Sequence, residues 1–282
     1  MTLKYKVGLI LIVVFILSGL GNYAIQRFII YPSFIALERE EAHKDLQRCV
    51  EAIKREVYHL SSLCRDWSSW NDTYDFIESR SENYIKSNLV LNTFTGNEIN
   101  LIYIIDIDGR VVWGEIYNLE TESTMELPGF PRDALQKTHP IISRMIGKGA
   151  ASDIEISGVF MTEQWPLLIA SRQILTSDSE GPVRGFLVMG RFLNDKIVKT
   201  LVEQTEVSFT IFPTKGNALP EAVREIPKRL TNGSPYLIEE KGHDNILIYT
   251  IYPDVKGRLS LLVQAKKLRN ISHKGYVTMS YA

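Results

Sequence analysis

Two tryptophans, a tyrosine, a phenylalanine and three aspartates fall within the sixteen residues CRDWSSWNDTYDFIES, 64–79. Paired carboxylates can share acid–base work, and clustered aromatic rings can hold a ligand. Angular position tests the first possibility. Asp66 and Asp72 are six residues apart, about 600° of rotation at roughly 100° per residue, so on a helix they point to different faces. Asp72 and Asp75 are close enough to share a face, where like charges meet solvent or cap a backbone. No carboxylate dyad is expected here. Trp67, Trp70, Tyr74 and Ile77 follow i, i+3, i+7, i+10 and would line one face of a continuous helix. Such a stripe reads first as a packing surface and second as the edge of a ligand pocket.

Other chemistry is scarce. His43, His59, His139, His243 and His273 are scattered without ligand spacing, so no metal site is expected. Asp106 and Asp108 precede a glycine as in a calcium loop, but the later ligands are missing. Cys49 and Cys64 lie fifteen residues apart in one expected helix. That is about 22 Å, too far for a bond within the chain. No G-x-S-x-G elbow, H-E-x-x-H helix or phosphate-binding glycine loop occurs, so neither an enzyme nor a bound cofactor is expected. A formal net charge of −1 and a pI near 6.5 argue against a nucleic-acid partner.

The elements that would position these residues begin at a membrane. Residues 7–25, VGLILIVVFILSGLGNYAI, form nineteen residues without a charge, close to the ~20 that a membrane-crossing helix needs. A cleaved signal peptide is the rival reading. However, no small-x-small site follows the run, and the helical pattern continues through it. Lys4 and Lys6 precede the segment and only Arg27 closely follows, which places the amino end in the cytoplasm and the rest outside. Removing these three positive charges from −1 leaves −4 for the outer part. The expected location is therefore the inner (cytoplasmic) membrane, with one span in residues 1–30.

Residues 31–79 contain one proline, at the start, and no glycine, and they read as one long helix. Leu46, Val50, Ile53, Val57, Leu60, Cys64 and Trp67 recur at alternating steps of four and three. That heptad period suits a helix packed along its copy, along its own domain, or along both in succession. A homodimer through 46–67 is the expectation. After residue 88 the period changes. NLIYIIDIDGRVVWGEIY reads as a hairpin turning at Asp108-Gly109, followed by a helix over 132–146. Strands are expected in SDIEISGVF, WPLLIASRQIL, VRGFLVMGRF and VSFTIFP, and then in SPYLIEE, NILIYTIYP and RLSLLVQA. A helix over 193–205, capped by Asn194 or Asp195, and a short one near 220–230 interrupt them. A long helix followed by antiparallel strands with inserted helices indicates the α+β class.

DWSSWNDTYDFI (66–77) resembles the signature of the CHASE4 extracytoplasmic sensor domain family, at Asp66, Trp67, Trp70, Asp72 and Tyr74. The family tends to have an aspartate where this chain has Asn71. YPSFIALEREEA, YIIDIDGRVVWG, ASRQILTSDSEGPVRGFLVMGRFL and YTIYPDVKGRLSLLVQAKKLRNISHKG also agree with its layout. The resemblance implies a plan similar to PAS/Cache-type sensors, a long membrane-proximal helix packed on an antiparallel sheet. It implies a sensor domain over 31–265, made of the helix 31–79 and the α/β part 88–265. Residues 266–282 would be an exit helix toward a second membrane segment and an output such as a histidine kinase or diguanylate cyclase.

Two functions compete. In the first, a small ligand binds between sheet and helix and shifts the helix relative to its dimer partner. Trp67, Trp70 and Tyr74 are its candidate helix contacts, with Arg172 and Arg191 from the strands to clamp an anion. In the bland reading of these arginines they reach water at strand ends or pair with Asp66 or Asp72. In the second, a membrane-tethered dimer engages a partner protein and holds no small ligand.

Overall fold

The computed structural model describes residues 3–146, 154–214, 219–231, 234–242 and 244–280. Helix α1 (Leu3–Ile25) passes through a π-helical turn (Gln26–Ile30) into α2 (Tyr31–Ser68). This 66-residue run is long enough, and apolar enough at its start, to cross a membrane. Short helices α3 (Asn71–Ser79), α4 (Glu82–Asn88) and α5 (Leu91–Gly96) lead to strands β1 (Leu101–Asp106), β2 (Val111–Asn118) and β3 (Ser123–Thr124). Then come α6 (Pro140–Ile146), β4 (Glu155–Met161), β5 (Pro166–Ile174), β6 (Gly185–Phe192), α7 (Asp195–Thr205) and β7 (Ser208–Pro213). Helix α8 (Ile226–Thr231), β8 (Leu237–Lys241), β9 (Asn245–Pro253), β10 (Leu259–Leu268) and α9 (Asn270–Ser280) complete the described chain.

The strands form two antiparallel sheets rather than one, in the orders β3-β2-β1-β6-β5-β4 and β7-β10-β9-β8. Helix α2 lies along both and joins them. Its residues Leu46, Cys49, Ile53, Leu60 and Cys64 share one core with Ile104, Leu168 and Met189 of the first sheet and Ile248 and Val263 of the second. The far face of the first sheet is covered by residues 127–142, which contribute Leu127, Phe130, Leu135, Ile141 and Ile142. Because both faces are covered, β1 and β5 are apolar or buried at almost every position instead of alternating.

The β1–β2 hairpin turns where expected. Gly109 takes φ +88°, and Asp106 Oδ1 accepts hydrogen bonds from the Asp108 and Arg110 amides, both at 2.9 Å. Asp106 thus serves the turn. The helix expected over 132–146 is confined to Pro140–Ile146. Its first residues instead pair with the hairpin, Val111 N donating to Asp133 O and Leu135 N to Gly109 O. The exit helix starts at Asn270, not 266, because β10 stays paired with β9 as far as Leu268. Ser152 and Asp153, expected to open a strand, and His243, expected in a turn, lie outside the described residues.

Two expectations about the long helix need correction. The helix over 31–79 is not continuous: it stops at Ser68, and Trp70 is extended at φ −87°, ψ 135°. Ser68 O accepts from Leu175 N at 3.0 Å, so it is not free to hold the next helical turn. The heptad face of 46–67 is also not an open dimer seam. Leu46, Ile53, Val57, Leu60, Cys64 and Trp67 are buried against the chain's own sheets, which satisfy the apolar stripe within one copy.

Candidate functional site

Residues of the opening block are separated by the helix break. Trp67 is buried in the core, whereas Trp70 is 39% exposed and stacks on it with ring centres 5.0 Å apart. Tyr74 is buried on α3; its hydroxyl donates to Pro182 O at 3.1 Å, and the Arg184 guanidinium lies 3.9 Å over its ring. Arg184 also reaches Asp75 at 3.0 Å and Glu78 at 3.2 Å. Asp66 and Asp72 are exposed. Asn71 Oδ1 accepts from Ser177 N at 2.9 Å, a role that needs an acceptor and no charge.

Strand parity places both candidate arginines on the helix side of the first sheet. Positions 168, 170, 172 and 174 of β5, and 187, 189 and 191 of β6, share that face. Arg172 is 7% exposed; it reaches Glu155 of β4 at 2.5 Å and Ser61 of α2 at 3.4 Å. Burial raises the Glu155 pKa, but hydrogen bonds from Ser61 and Ser157 and the charge of Arg172 outweigh it and leave a net lowering. Arg191 pairs with Glu56 of α2 at 2.5 Å and donates to the carbonyls of Glu98 and Asn97 at 2.8 and 2.9 Å. Neither arginine meets Asp66 or Asp72: each bonds to a glutamate closer in space. Cys64 lies against Ala170 and Leu187 of the same face, and burial pushes its thiol, like that of Cys49, up to about 12. Two buried, unreactive thiols result.

A second polar junction lies where α2 meets α9. Glu38 is fully buried. Its carboxylate accepts from Ile271 N at 3.1 Å, Ser272 N at 3.2 Å, Ser272 Oγ at 2.7 Å and Arg269 Nε at 3.3 Å. A side chain of the entering helix therefore caps the leaving helix. Four residues earlier, Phe34 packs on Gly275, where an added Cβ would stand 2.5 Å from Phe34 Cδ2. Arg269 continues to Glu240 at 3.0 Å, and Lys267 holds Asp45 of α2 at 2.7 Å. These residues were not singled out from the sequence. For the α2 residues a signal existed: Glu38, Ala42, Asp45 and Cys49 recur at four-three steps of their own, one position out of register with the apolar stripe.

Arg191 lines a cavity of about 250 Å³ with Asn100, Asn118, Trp165 and Asn194. A larger one, about 580 Å³, opens on the other side of Trp165 between the two sheets. Trp67, Trp70, Tyr74 and Arg172 line neither of these two cavities.

A model of the CHASE4 domain matches residues 52–212, which take in the membrane-distal part of α2, the first sheet, α7 and most of β7. The methanogenesis regulatory histidine kinase FilI of Methanothrix harundinacea is 23% identical over 243 residues, 86% of this chain and 26% of that protein. The chain thus spans about a quarter of the relative's length. Among solved structures, the extracellular domain of the putative histidine kinase vpHK1S-Z8 has a TM-score of 0.52 at 11% identity, covering 84% of this chain and 94% of that one. The sensor domain of the Vibrio cholerae histidine kinase DctB has a TM-score of 0.48 at 11% identity, covering 84% and 98%. The matched segment makes up more than half of the chain, which belongs to the CHASE4 family of sensor domains.

Proposed function

We propose that this chain is the extracytoplasmic input module of a receptor in the cytoplasmic membrane, and that it signals by moving α2 and α9 together. The observation that carries this reading is the buried Glu38 cap. The helix that enters from the membrane and the helix that returns toward it are joined by one carboxylate with four donors. A displacement of either sheet along α2 then reaches both chain crossings at once. Trp67, Tyr74, Arg172 and Arg191 serve in this reading to dock helix on sheet, supported by the burial of the first three, the half-burial of Arg191 and the contacts all four make with the chain's own groups. A dimer, if formed, would use the outer face of α2, where Glu51, Lys54, Arg55 and Tyr58 are exposed, rather than 46–67's apolar stripe. The module's task is signalling; the output chemistry belongs to the longer protein.

A chimera tests this. Residues 1–282 would replace the matching segment of FilI, and autophosphorylation would be measured in membranes. Glu38→Gln is expected to change the rate at least threefold, while Glu40→Gln, on the same helix but solvent-exposed, leaves it unchanged. Equal rates in both variants, with the protein folded, would sink the proposal.

A further inference from the structure

We infer that the 580 Å³ cavity between the two sheets is a binding site for a small monocarboxylate carrying an aromatic body. The inference rests on the input-module reading and names what that module receives. The walls come from both sheets. Phe160 and Met161 of β4, Phe130 of the covering loop and Trp165 of the β4–β5 turn form the first sheet's side, and Pro213 of β7 and Arg258 of the β9–β10 turn the second's. The aromatic side is held in shape by the chain itself. Phe130 and Phe160 meet edge to face at 5.3 Å, and Trp165 lies 5.5 Å from Phe192. The Trp165 turn is closed by Thr162, whose Oγ accepts from Trp165 N at 3.2 Å and donates to Trp165 O at 2.6 Å. Flat, rigid rings suit a flat apolar guest.

Arg258 supplies the charge. Its Nε and Nη2 donate to Asp254 Oδ2 at 2.9 and 2.6 Å, and Asp254 is itself 5% exposed and held by Ser260 Oγ and the Lys256 and Arg258 amides. One edge of the guanidinium is thereby fixed, and Nη1 makes no hydrogen bond to a described residue. An arginine so oriented, 44% exposed on a cavity wall, presents a preformed donor to a carboxylate. Glu163, exposed on the same rim, repels a second negative group and so favours a monoanion over a dianion.

The position suggests how occupancy is read. Besides the shared helix, the sheets meet at the β9–β10 turn, where Val255 N donates to Val159 O at 2.8 Å. Gly158 lets Val255 approach: a Cβ at this positive-φ glycine would stand 3.1 Å from Val255 Cγ1. A guest touching both Arg258 and the Phe160–Trp165 wall bridges the sheets beside that contact and draws them together.

Isothermal titration of the full chain in nanodiscs with indole-3-acetate tests the site. Binding is expected, weakened at least tenfold in Arg258→Gln and in Trp165→Ala, and unchanged in Trp70→Ala, whose ring lies elsewhere. Circular dichroism and thermal unfolding would establish that each variant is folded. Indole-3-acetamide, which keeps the ring and removes the charge, is expected to bind at least tenfold more weakly than the acid. Failure of indole-3-acetate to bind the folded wild type at 10 mM, or binding indifferent to Arg258→Gln, would overturn the assignment. Homophthalate, an aromatic dicarboxylate, binding as tightly as indole-3-acetate would overturn the preference for a monoanion. The cavity can fail these tests while the Glu38 dependence of the chimera stands, so the two readings are separable.

Discussion

The two halves of α2 are fastened in opposite ways. Toward the far end the sheet brings the cations and α2 meets them sparingly: Arg191 reaches Glu56, and Arg172 reaches Ser61 while taking its counter-charge from Glu155 on a neighbouring strand. Near the membrane α2 itself brings buried or nearly buried carboxylates, Glu38 and Asp45, to cations of β10 and the segment leading into α9. The far half is cemented by apolar burial, with Leu60, Cys64 and Trp67 closed over by the first sheet. The near half adds to its own apolar positions, Ala42, Leu46 and Cys49, a few charged hydrogen bonds that are costly to leave unmade. The difference separates a rigid platform from a junction whose state polar groups can set.

Breaking the junction is expected to have the largest effect. Glu38→Ala leaves two backbone amides, Ser272 and one edge of Arg269 without their acceptor, and should cost about 3–5 kcal/mol. Denaturant unfolding would show it, and hydrogen exchange should locate the loss in α9 and the adjoining turn of α2. A loss spread evenly over the first sheet would contradict the contrast drawn above. In the far half, Trp67→Ala should cost roughly 3–5 kcal/mol as a core deletion, whereas Trp70→Ala, three residues on but exposed, should stay below about 1 kcal/mol. Similar values for the pair would restore the continuous helical face.

The covering loop of the first sheet carries a pH test. Burial, helped by the nearby Lys256, lowers the His139 pKa from 6.5 to about 4. The folded state binds the proton less readily than the unfolded one, so stability is full above pH 6.5 and falls as pH drops toward 4. The slope is at most roughly 1.4 kcal/mol per pH unit. His139→Leu should flatten that part of the profile; an unchanged slope would assign it to other groups. Smallest is Gly275→Ala. The added methyl meets Phe34, at about 1–3 kcal/mol for overpacking, offset by about 1 kcal/mol of helix propensity. Phe34→Leu in the same chain should recover the difference, and no recovery would mean that the two helices do not bear on each other there.

The legible part of the site was local. The apolar run 7–25, the four-three stripe, the Asp108-Gly109 hairpin and the Asn194 cap each rest on residues a few positions apart, and the structure has them: Asn194 Oδ1 accepts from Ile197 N at 3.1 Å. The tryptophan block likewise pointed to its family from neighbouring residues alone.

Tertiary structure decided what depended on distant segments. The helix ends at Ser68 because Leu175, more than a hundred positions away, takes its carbonyl. The arginines pair with Glu155 and Glu56 rather than Asp66 or Asp72 because strand register sets Arg172 opposite Glu155 of β4 and strand parity turns Arg191 toward Glu56 of α2. The stripe at 46–67 is spent on two sheets within one chain, since whichever apolar surface reaches a helix first removes it from water. Periodicity states that a face will be buried, and the backbone encodes it within a few turns. What buries it is settled only when strands distant in sequence stack against it, as β5 does with Ala170 lying 106 positions from Cys64.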